Sequence, residues 1–369
     1  MHARNSPKRL IIAAAAARPY VRAAAAAGFE VVAVDVFGDV DTETHASQLV
    51  SLPYAHGGFD AEAFRRQVFP LLAVADTAFV YGSGFETQPE LLDEIAQRCP
   101  ILGNDAETVR ITKHPDRFFS LLAALDIPIP KFSLIRTAAS KGWLSKTFGG
   151  SGGTHVRVDS SESGDTCYYQ QPLPGAPCSL LFLADGQQTQ PIGFNRLLLA
   201  PTIEMPFRYG GAVSQIVLSD AVHAGMLQAA RKMTAALGLR GLNSLDCMVD
   251  GDRFWVLEVN PRLSATFALY DAATHGALLL QSHLMACSGE RAPALPPEQA
   301  HAHLIYYAPK DIKIPAGMTW PAWVADIPPG GSTVRADEPL CSVLAAHDDP
   351  DAAYALAQAR VAQLSKQIN

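Results

Sequence analysis

The chain has 369 residues, of which 49% are hydrophobic and 18% charged, with a formal net charge of -7. That length predicts two or three domains rather than one core, and the composition excludes extensive disorder. No run of Lys or Arg exceeds a pair, which excludes a nucleic-acid binder read from bulk charge and leaves any phosphorylated ligand dependent on local positive charge.

"RLIIAAAA" followed by "YVRAAAAAGFEVVAVDVF" predicts strand, helix, a stop at Gly28, then a second strand ending at Asp35. Arg18, Pro19 and Arg22 break the alanine-rich start too early for a signal peptide, and no stretch supplies the roughly 20 apolar residues of a membrane span. A cytoplasmic protein without membrane partners is the expectation. The first turn, "AAARPY", lacks G-x-G-x-x-G, so a dinucleotide site is not expected there. "AFRRQVFPLLA" reads as helix, "DTAFVYGSGFE" as a strand running into a turn, "PELLDEIAQRC" as helix and "PILGN" as a short strand. Residues 1–105 thus form one doubly wound α/β unit. Its ligands would gather at the strand ends, near Arg18, Asp35 and the loop from Gly82 to Glu86.

"GNDAETVRITKHPDRFFSLLAALDIPIPKF" predicts one helix ending at Pro128 and Pro130. Short strands with Gly, Ser, Asp and Pro turns follow, interrupted by a helix from about 220 to 237, and "LNSLDCMV" and "RFWVLEVN" form a strand pair. Residues 291–300 read as a linker into a C-terminal piece whose last helix would bury Tyr354, Ala357, Val361 and Leu364. Cys99, Cys167, Cys178, Cys247, Cys287 and Cys341 are dispersed, without zinc spacing, and read as reduced thiols.

Two stretches carry chemistry. In "WLSKTFGGSGGTHVR", Gly149, Gly150, Gly152 and Gly153 flank Ser151, so backbone N–H groups can approach an anion closely, with Lys146 beside them; the competing reading is a flexible hairpin tip. In "LNSLDCMVDGDRFWVLEVNPRLS", a three-residue loop at Asp250-Gly251-Asp252 would set Asp246 opposite Val256, on one face with Glu258 and Asn260. A two-residue loop would turn Asp246 to the other face. Two carboxylates and an amide oxygen suit Mg2+, with Mn2+ as an alternative occupant. Glu258, set among large apolar neighbours, calls for a cation or a partner.

"WLSKTFGGSGGTHV", "YYQQPLPG" and "WVLEVNPR" resemble the lysine and glycine-rich loop, the adenine hinge and the metal-binding strand of ATP-grasp enzymes, in that order, and the likeness spans roughly residues 8–290. The C-terminal stretch is similar to the tail of the biotin-carboxylase and carbamoyl-phosphate-synthase branch. The resemblance implies a mixed α/β and α+β chain: a doubly wound pre-ATP-grasp domain (1–105), an ATP-grasp fold (106–290) with a lid at about 131–175, and a small C-terminal β/α extension (291–369). It further implies a carboxylate-amine ligase working through an acyl phosphate. Lys146 would contact the ATP phosphates, Gly150, Ser151, Gly152 and Gly153 would close over them, and the backbone from Gln171 to Leu173 would meet the adenine. Arg117 or Lys113 would supply the lead-in helix's basic contact, Asp246, Glu258 and Asn260 would hold the metal, and Arg262 would steady the transferred phosphoryl group.

The chain departs from the pattern at Thr147, where Pro is usual, at the hinge residues Gln170 and Gln171, where Glu is usual, and at Ser244, where some members carry Arg. The substrates would be a small carboxylate, an amino acid such as glutamate, and an amine, lined by Arg18, Gly84, Glu86, Arg208 and Tyr209, with Glu204 as another acid for an ammonium group. A bicarbonate-using enzyme and a non-catalytic ATP-binding regulator are the rival readings, and a homodimer stays open. His155, His275 and His283 read as structural more readily than as catalytic bases.

Overall fold

The computed structural model describes residues 7–137, 140–158, 166–271, 275–295 and 299–368. Strand β1 (Arg9–Ala13), helix α1 (Arg18–Ala26), strand β2 (Glu30–Asp35), the short helix α2 (Val40–His45), strand β3 (Gln48–Ser51) and strand β4 (Thr77–Tyr81) build the N-terminal unit. All pairings are parallel, in the order β3-β2-β1-β4. β1 and β4 are buried along their whole length, as a parallel sheet covered on both faces requires. Ile11, Val32 and Phe79 pack toward Phe64, Phe85 and Leu92, while Leu10, Ile12 and Val80 pack toward Tyr20 and Val21. "PILGN" is not a strand of its own: it contributes a single bridge, Ile101 against Phe79.

The long lead-in helix breaks in two, α3 (Ala106–Lys113) and α4 (Pro115–Ala124). Pro115 has no N–H to continue α3 and disfavours helical backbone at the residue before it, and His114 accordingly has φ -98° and ψ 112°. The break ends α3 at Lys113. Beyond α4, β5 (Leu144–Thr147), β6 (Val156–Val158) and β7 (Cys167–Gln170) form an antiparallel sheet with Phe132–Ser133.

The large sheet contains β8 (Ala176–Asp185), β9 (Thr189–Leu199), β10 (Tyr209–Ser214), β11 (Arg240–Asp250), β12 (Arg253–Asn260), β13 (Ala300–Tyr307) and β14 (Pro339–His347), with Val324–Ala325 at its edge. Its order is β12-β11-β8-β9-β10-β13-β14 and then the edge pair. The C-terminal segment therefore continues this sheet rather than standing beside it. Helix α5 (Asp220–Leu237), capped by Ser219 and stopped at Gly238 with φ +64°, buries Val222, Met226 and Met233 in the same cluster as Leu180, Leu245 and Val256. Helix α6 (His275–Cys287) lies between α1 and β11, and α7 (Pro350–Ile368) rests on β13 and β14 with Ala353, Ala357 and Leu364 buried.

His283, on α6, is a satisfied core histidine: one ring nitrogen accepts the Leu242 N–H at 2.8 Å and the other lies 3.1 Å from the Leu102 carbonyl. Burial holds its pKa down to about 4. The side chain of His275 lies outside the described residues.

Candidate active site

The β11–β12 hairpin turns on two residues, Gly251 and Asp252, because Asp250 pairs with Arg253. Such a turn alone would send Asp246 to the wrong face. A β-bulge corrects it: pairing runs Cys247 to Val256, then Asp246 to Glu258, so Leu257 is the extra residue and the alternation shifts by one. The expected register fails and the expected convergence survives. Asn260 binds both acids, its Nδ2 donating to Asp246 Oδ2 at 3.1 Å and to Glu258 Oε1 at 3.4 Å.

Positive charge meets this cluster from two sides. Lys113 Nζ, at the break between α3 and α4, donates to Asn260 Oδ1 at 2.9 Å and lies 3.4 Å from Glu258 Oε2. Arg117, the other basic residue left open by the sequence, lies off the cluster, exposed and paired with Glu107 at 2.6 Å. Arg262 donates from Nε to Glu86 Oε1 at 2.6 Å, from one terminal nitrogen to Asn260 Oδ1 at 3.1 Å and from the other to the Leu263 carbonyl at 2.9 Å. Burial raises the Asp246 carboxyl, helped by the adjacent Glu258 charge. On Glu258 burial acts the same way but is outweighed by Lys113 and Lys146, and its carboxyl is lowered.

A support was not legible in the sequence. Asn104 donates to the Pro261 carbonyl and to Asn243 Oδ1, each at 2.9 Å, and accepts the Arg240 N–H at 2.8 Å. Tyr81 Oη reaches the Asn104 and Pro261 carbonyls at 2.9 and 3.3 Å. Together they hold the turn between Asn260 and Arg262 against the N-terminal sheet.

Above the acids lies the glycine loop, and it is closed. Lys146 on β5 donates to Gln170 Oε1 at 3.2 Å and sits 5.7 Å from the centre of the Tyr168 ring. The Tyr209 N–H donates to the Gly152 carbonyl at 2.9 Å, and Ser151 hydrogen-bonds the Tyr54 hydroxyl. A Cβ on Gly149 would lie 2.6 Å from the Glu86 carbonyl oxygen, and one on Gly153 only 1.9 Å from that of Phe207. Both glycines have positive φ, +67° and +70°. The remaining space, lined by Lys113, Gly150, His155, Tyr168 and Glu258, is about 30 Å³, so the loop must move to admit anything larger than water. Gly153→Ala should hold the loop off its seat and lower kcat/KM for the nucleotide at least about tenfold, a loss of about 1.4 kcal/mol, in steady-state assays. An unchanged value would show that docking on Phe207 is irrelevant to turnover. At the hinge, the Gln171 N–H is already taken by the Lys131 carbonyl at 2.9 Å, which leaves its carbonyl and the Leu173 backbone as the groups an adenine edge could use.

The arginines expected to receive a carboxylate are engaged elsewhere. Arg18 is buried and pairs with Asp326 at 2.6 Å and with Asp41 at 3.6 Å, tying α1 to the C-terminal segment. Arg208 donates to the Ala200 and Asp337 carbonyls at 2.8 and 3.0 Å and lies 3.7 Å from the centre of the Tyr307 ring. Glu86 is not open to an ammonium either, since its Oε2 accepts the Gly84 and Phe85 N–H groups at 2.7 and 3.0 Å. Asp35 accepts backbone N–H groups from Ala17, Phe37 and Gly38 and is structural. Tyr209 differs from these, because its hydroxyl is buried without a partner. Glu204 is exposed.

The donor set suits a divalent cation in part. Two carboxylates oppose each other, and burial with the adjacent Glu258 charge pushes Asp246 toward its protonated form, a cost that a cation between them would relieve. Asn260 does not complete the set as placed: its oxygen is turned to Lys113 and Arg262, and exchanging oxygen and nitrogen would set its NH2 against those two donors. In this arrangement Asn260 orients the two acids through its Nδ2. Among the described residues no three His, Cys, Asp or Glu side chains are grouped to cage a metal, so a cation here would take its other ligands from a phosphate chain or water.

Residues 117–266 match the family model described as ATP-grasp domain. No curated protein matches the chain in sequence. Among solved structures, an ADP complex of PurK, N5-carboxyaminoimidazole ribonucleotide synthetase, is 12% identical, covers 98% of each chain and has a TM-score of 0.70. L-amino acid ligase from Bacillus licheniformis is 15% identical over 97% of this chain and 98% of its own, with a TM-score of 0.69. Biotin carboxylase from Campylobacter jejuni is 13% identical over 95% and 90%, with a TM-score of 0.68. Residues 117–266 thus match an ATP-grasp domain, and the chain as a whole shares the fold of these solved structures.

Proposed function

We propose that the protein is an ATP-dependent ligase that joins a small carboxylate to an amine through an acyl phosphate, releasing ADP and phosphate. The reading rests on one observation: Lys113, Lys146 and the Asp246–Glu258 pair converge beneath a glycine loop whose backbone can close over a phosphate chain. The similar structures support it, since they include a synthetase and an amino acid ligase, and one holds ADP.

A free carboxylate does not acylate an amine at neutral pH, because oxide is a very poor leaving group. Transfer of the γ-phosphoryl to a carboxylate oxygen replaces it with phosphate, the amine nitrogen then attacks the carbonyl carbon, and the C–O bond to phosphate breaks. Mg2+, or Mn2+ in its place, would be held by Asp246 and Glu258 and would offset charge on the phosphate oxygens. Lys146 and Lys113 add positive charge to the transferring group. Arg262, fully engaged with Glu86, Asn260 and Leu263, sets the position of Asn260. The closed loop excludes water that would hydrolyse the acyl phosphate. No covalent side-chain nucleophile is needed.

With Arg18 and Arg208 spent on structural pairs, the carboxylate would be received beside Tyr209 rather than on an arginine clamp. Among the described residues no helix is long and apolar enough to cross a membrane. The test is ADP release from Mg-ATP across wells pairing amino acids and other carboxylates with amines, with bicarbonate wells included. Release requiring both an acid and an amine is expected. Release requiring bicarbonate would replace this reading with the carboxylating one, and ATP binding without release in any well would favour the regulator.

A further inference from the structure

His155 stands two residues past the last glycine of the loop and is absorbed by none of the roles above. Its ring lies against Gly150, where a Cβ would come within 2.1 Å of Cγ and 2.6 Å of Nδ1. Any side chain at position 150 would displace it, so that glycine makes room for the imidazole as well as for loop closure. The ring lines the small cavity together with Lys113, Tyr168 and Glu258. Its Nδ1 is buried and has no hydrogen-bond partner, an arrangement that costs free energy unless a partner arrives. The polar contact the ring does make is with the Ser151 backbone, within the loop itself.

Four groups set its electrostatic surroundings: Lys146 and Lys113 disfavour the imidazolium, while Glu258 and the Ser151 carbonyl favour it. Burial is the largest influence, and the ring is held neutral, with a pKa near 4. A neutral imidazole carries one N–H and one lone pair, and its tautomer follows the partners it meets. The cavity it faces is bordered by Lys113 and Glu258, with the Lys146 charge close enough to act on the ring.

We propose that His155 is the loop's side-chain contact to the bound polyphosphate: with nucleotide present the ring gives up its bond to the Ser151 carbonyl, takes the Nδ1–H tautomer and donates from the now unpartnered Nδ1 to a phosphate oxygen, so closure and nucleotide occupancy stabilise each other. This rests on the nucleotide reading of the site. Backbone N–H groups of the glycine stretch would then not be the loop's sole hold on the phosphates.

Calorimetric titration of the full chain with ATP, ADP and adenosine, in wild type, His155→Ala and His155→Gln, tests it, with thermal unfolding of each protein measured alongside. Expected is a loss of at least tenfold in ATP affinity for His155→Ala, unchanged adenosine affinity and partial recovery in His155→Gln, all at unchanged Tm. Equal loss for ATP and adenosine, or a fallen Tm with no recovery by Gln, would make His155 a packing residue and overturn the proposal. Wild-type ATP affinity in His155→Ala would overturn it while leaving the nucleotide site intact. A wild-type protein that binds no ATP would overturn the site reading itself, and this proposal with it.

Discussion

Glu258→Gln should lower nucleotide turnover by about two to three orders of magnitude while leaving a folded protein. The exchange keeps shape but turns one acceptor oxygen into an NH2 donor and removes the charge that Lys113 and Lys146 converge upon, and with it half of the negative charge available to a divalent cation. The cost to stability should be small. The Glu258 side chain is 31% exposed into the cleft, and Lys113 keeps its 2.9 Å bond to Asn260 Oδ1. Lys146→Ala should act differently. It removes a charge near the acids and the bond to the buried Gln170 Oε1, so a small loss of stability should accompany a loss that falls on the nucleotide KM as well as on kcat. ADP release at saturating and sub-saturating ATP, with thermal unfolding as the fold control, separates the two. Wild-type turnover in Glu258→Gln would remove the acids from the reacting centre.

The residues that line the candidate site were legible in the sequence to the extent that the signal is local. Lys146 and the glycines announce an anion cradle because only such residues let backbone approach a charge, and Glu258 announces a cation because apolar neighbours cannot satisfy it. The hairpin shows the limit. Strand alternation can be read along one strand, but the bulge at Leu257, which restores Asp246 to the face of Glu258, is decided by pairing with the partner strand. The break between α3 and α4 was visible as His114-Pro115, yet its consequence, Lys113 rather than Arg117 at the acids, depends on how the helices pack. The arginines went furthest astray. Arg18 and Arg208 find Asp326 and Asp337, 308 and 129 residues away along the chain, and no local pattern encodes such pairs.

Arg262→Ala should destabilise the protein by about 3–5 kcal/mol, the cost of leaving one member of a buried ion pair uncompensated. The side chains of Arg262 and Glu86 are 8% and 3% exposed, and without the guanidinium Glu86 keeps only the Gly84 and Phe85 N–H groups. The pair also joins the loop after β4 to the end of β12, so its loss loosens the N-terminal unit from the ATP-grasp domain. The sign of the pH dependence is the stronger test. In the wild type burial favours the neutral acid, but Arg262 and Lys113 outweigh it and the Glu86 carboxyl is lowered. Its contribution to stability is therefore present above the ordinary carboxylate pKa and is lost as pH falls through the folded value. In Arg262→Ala burial dominates and the folded pKa rises above the unfolded one, so the contribution is present at low pH and lost as pH rises through the folded value. Denaturant midpoints measured from pH 4 to 8 should show the gap between variant and wild type narrowing toward acid. Glu86→Leu combined with Arg262→Leu, which leaves no buried charge, should recover much of the loss. A gap below about 1 kcal/mol at neutral pH, or one that widens toward acid, would mean that the pair is solvated and that the joint between the two units is held by the Asn104 network instead.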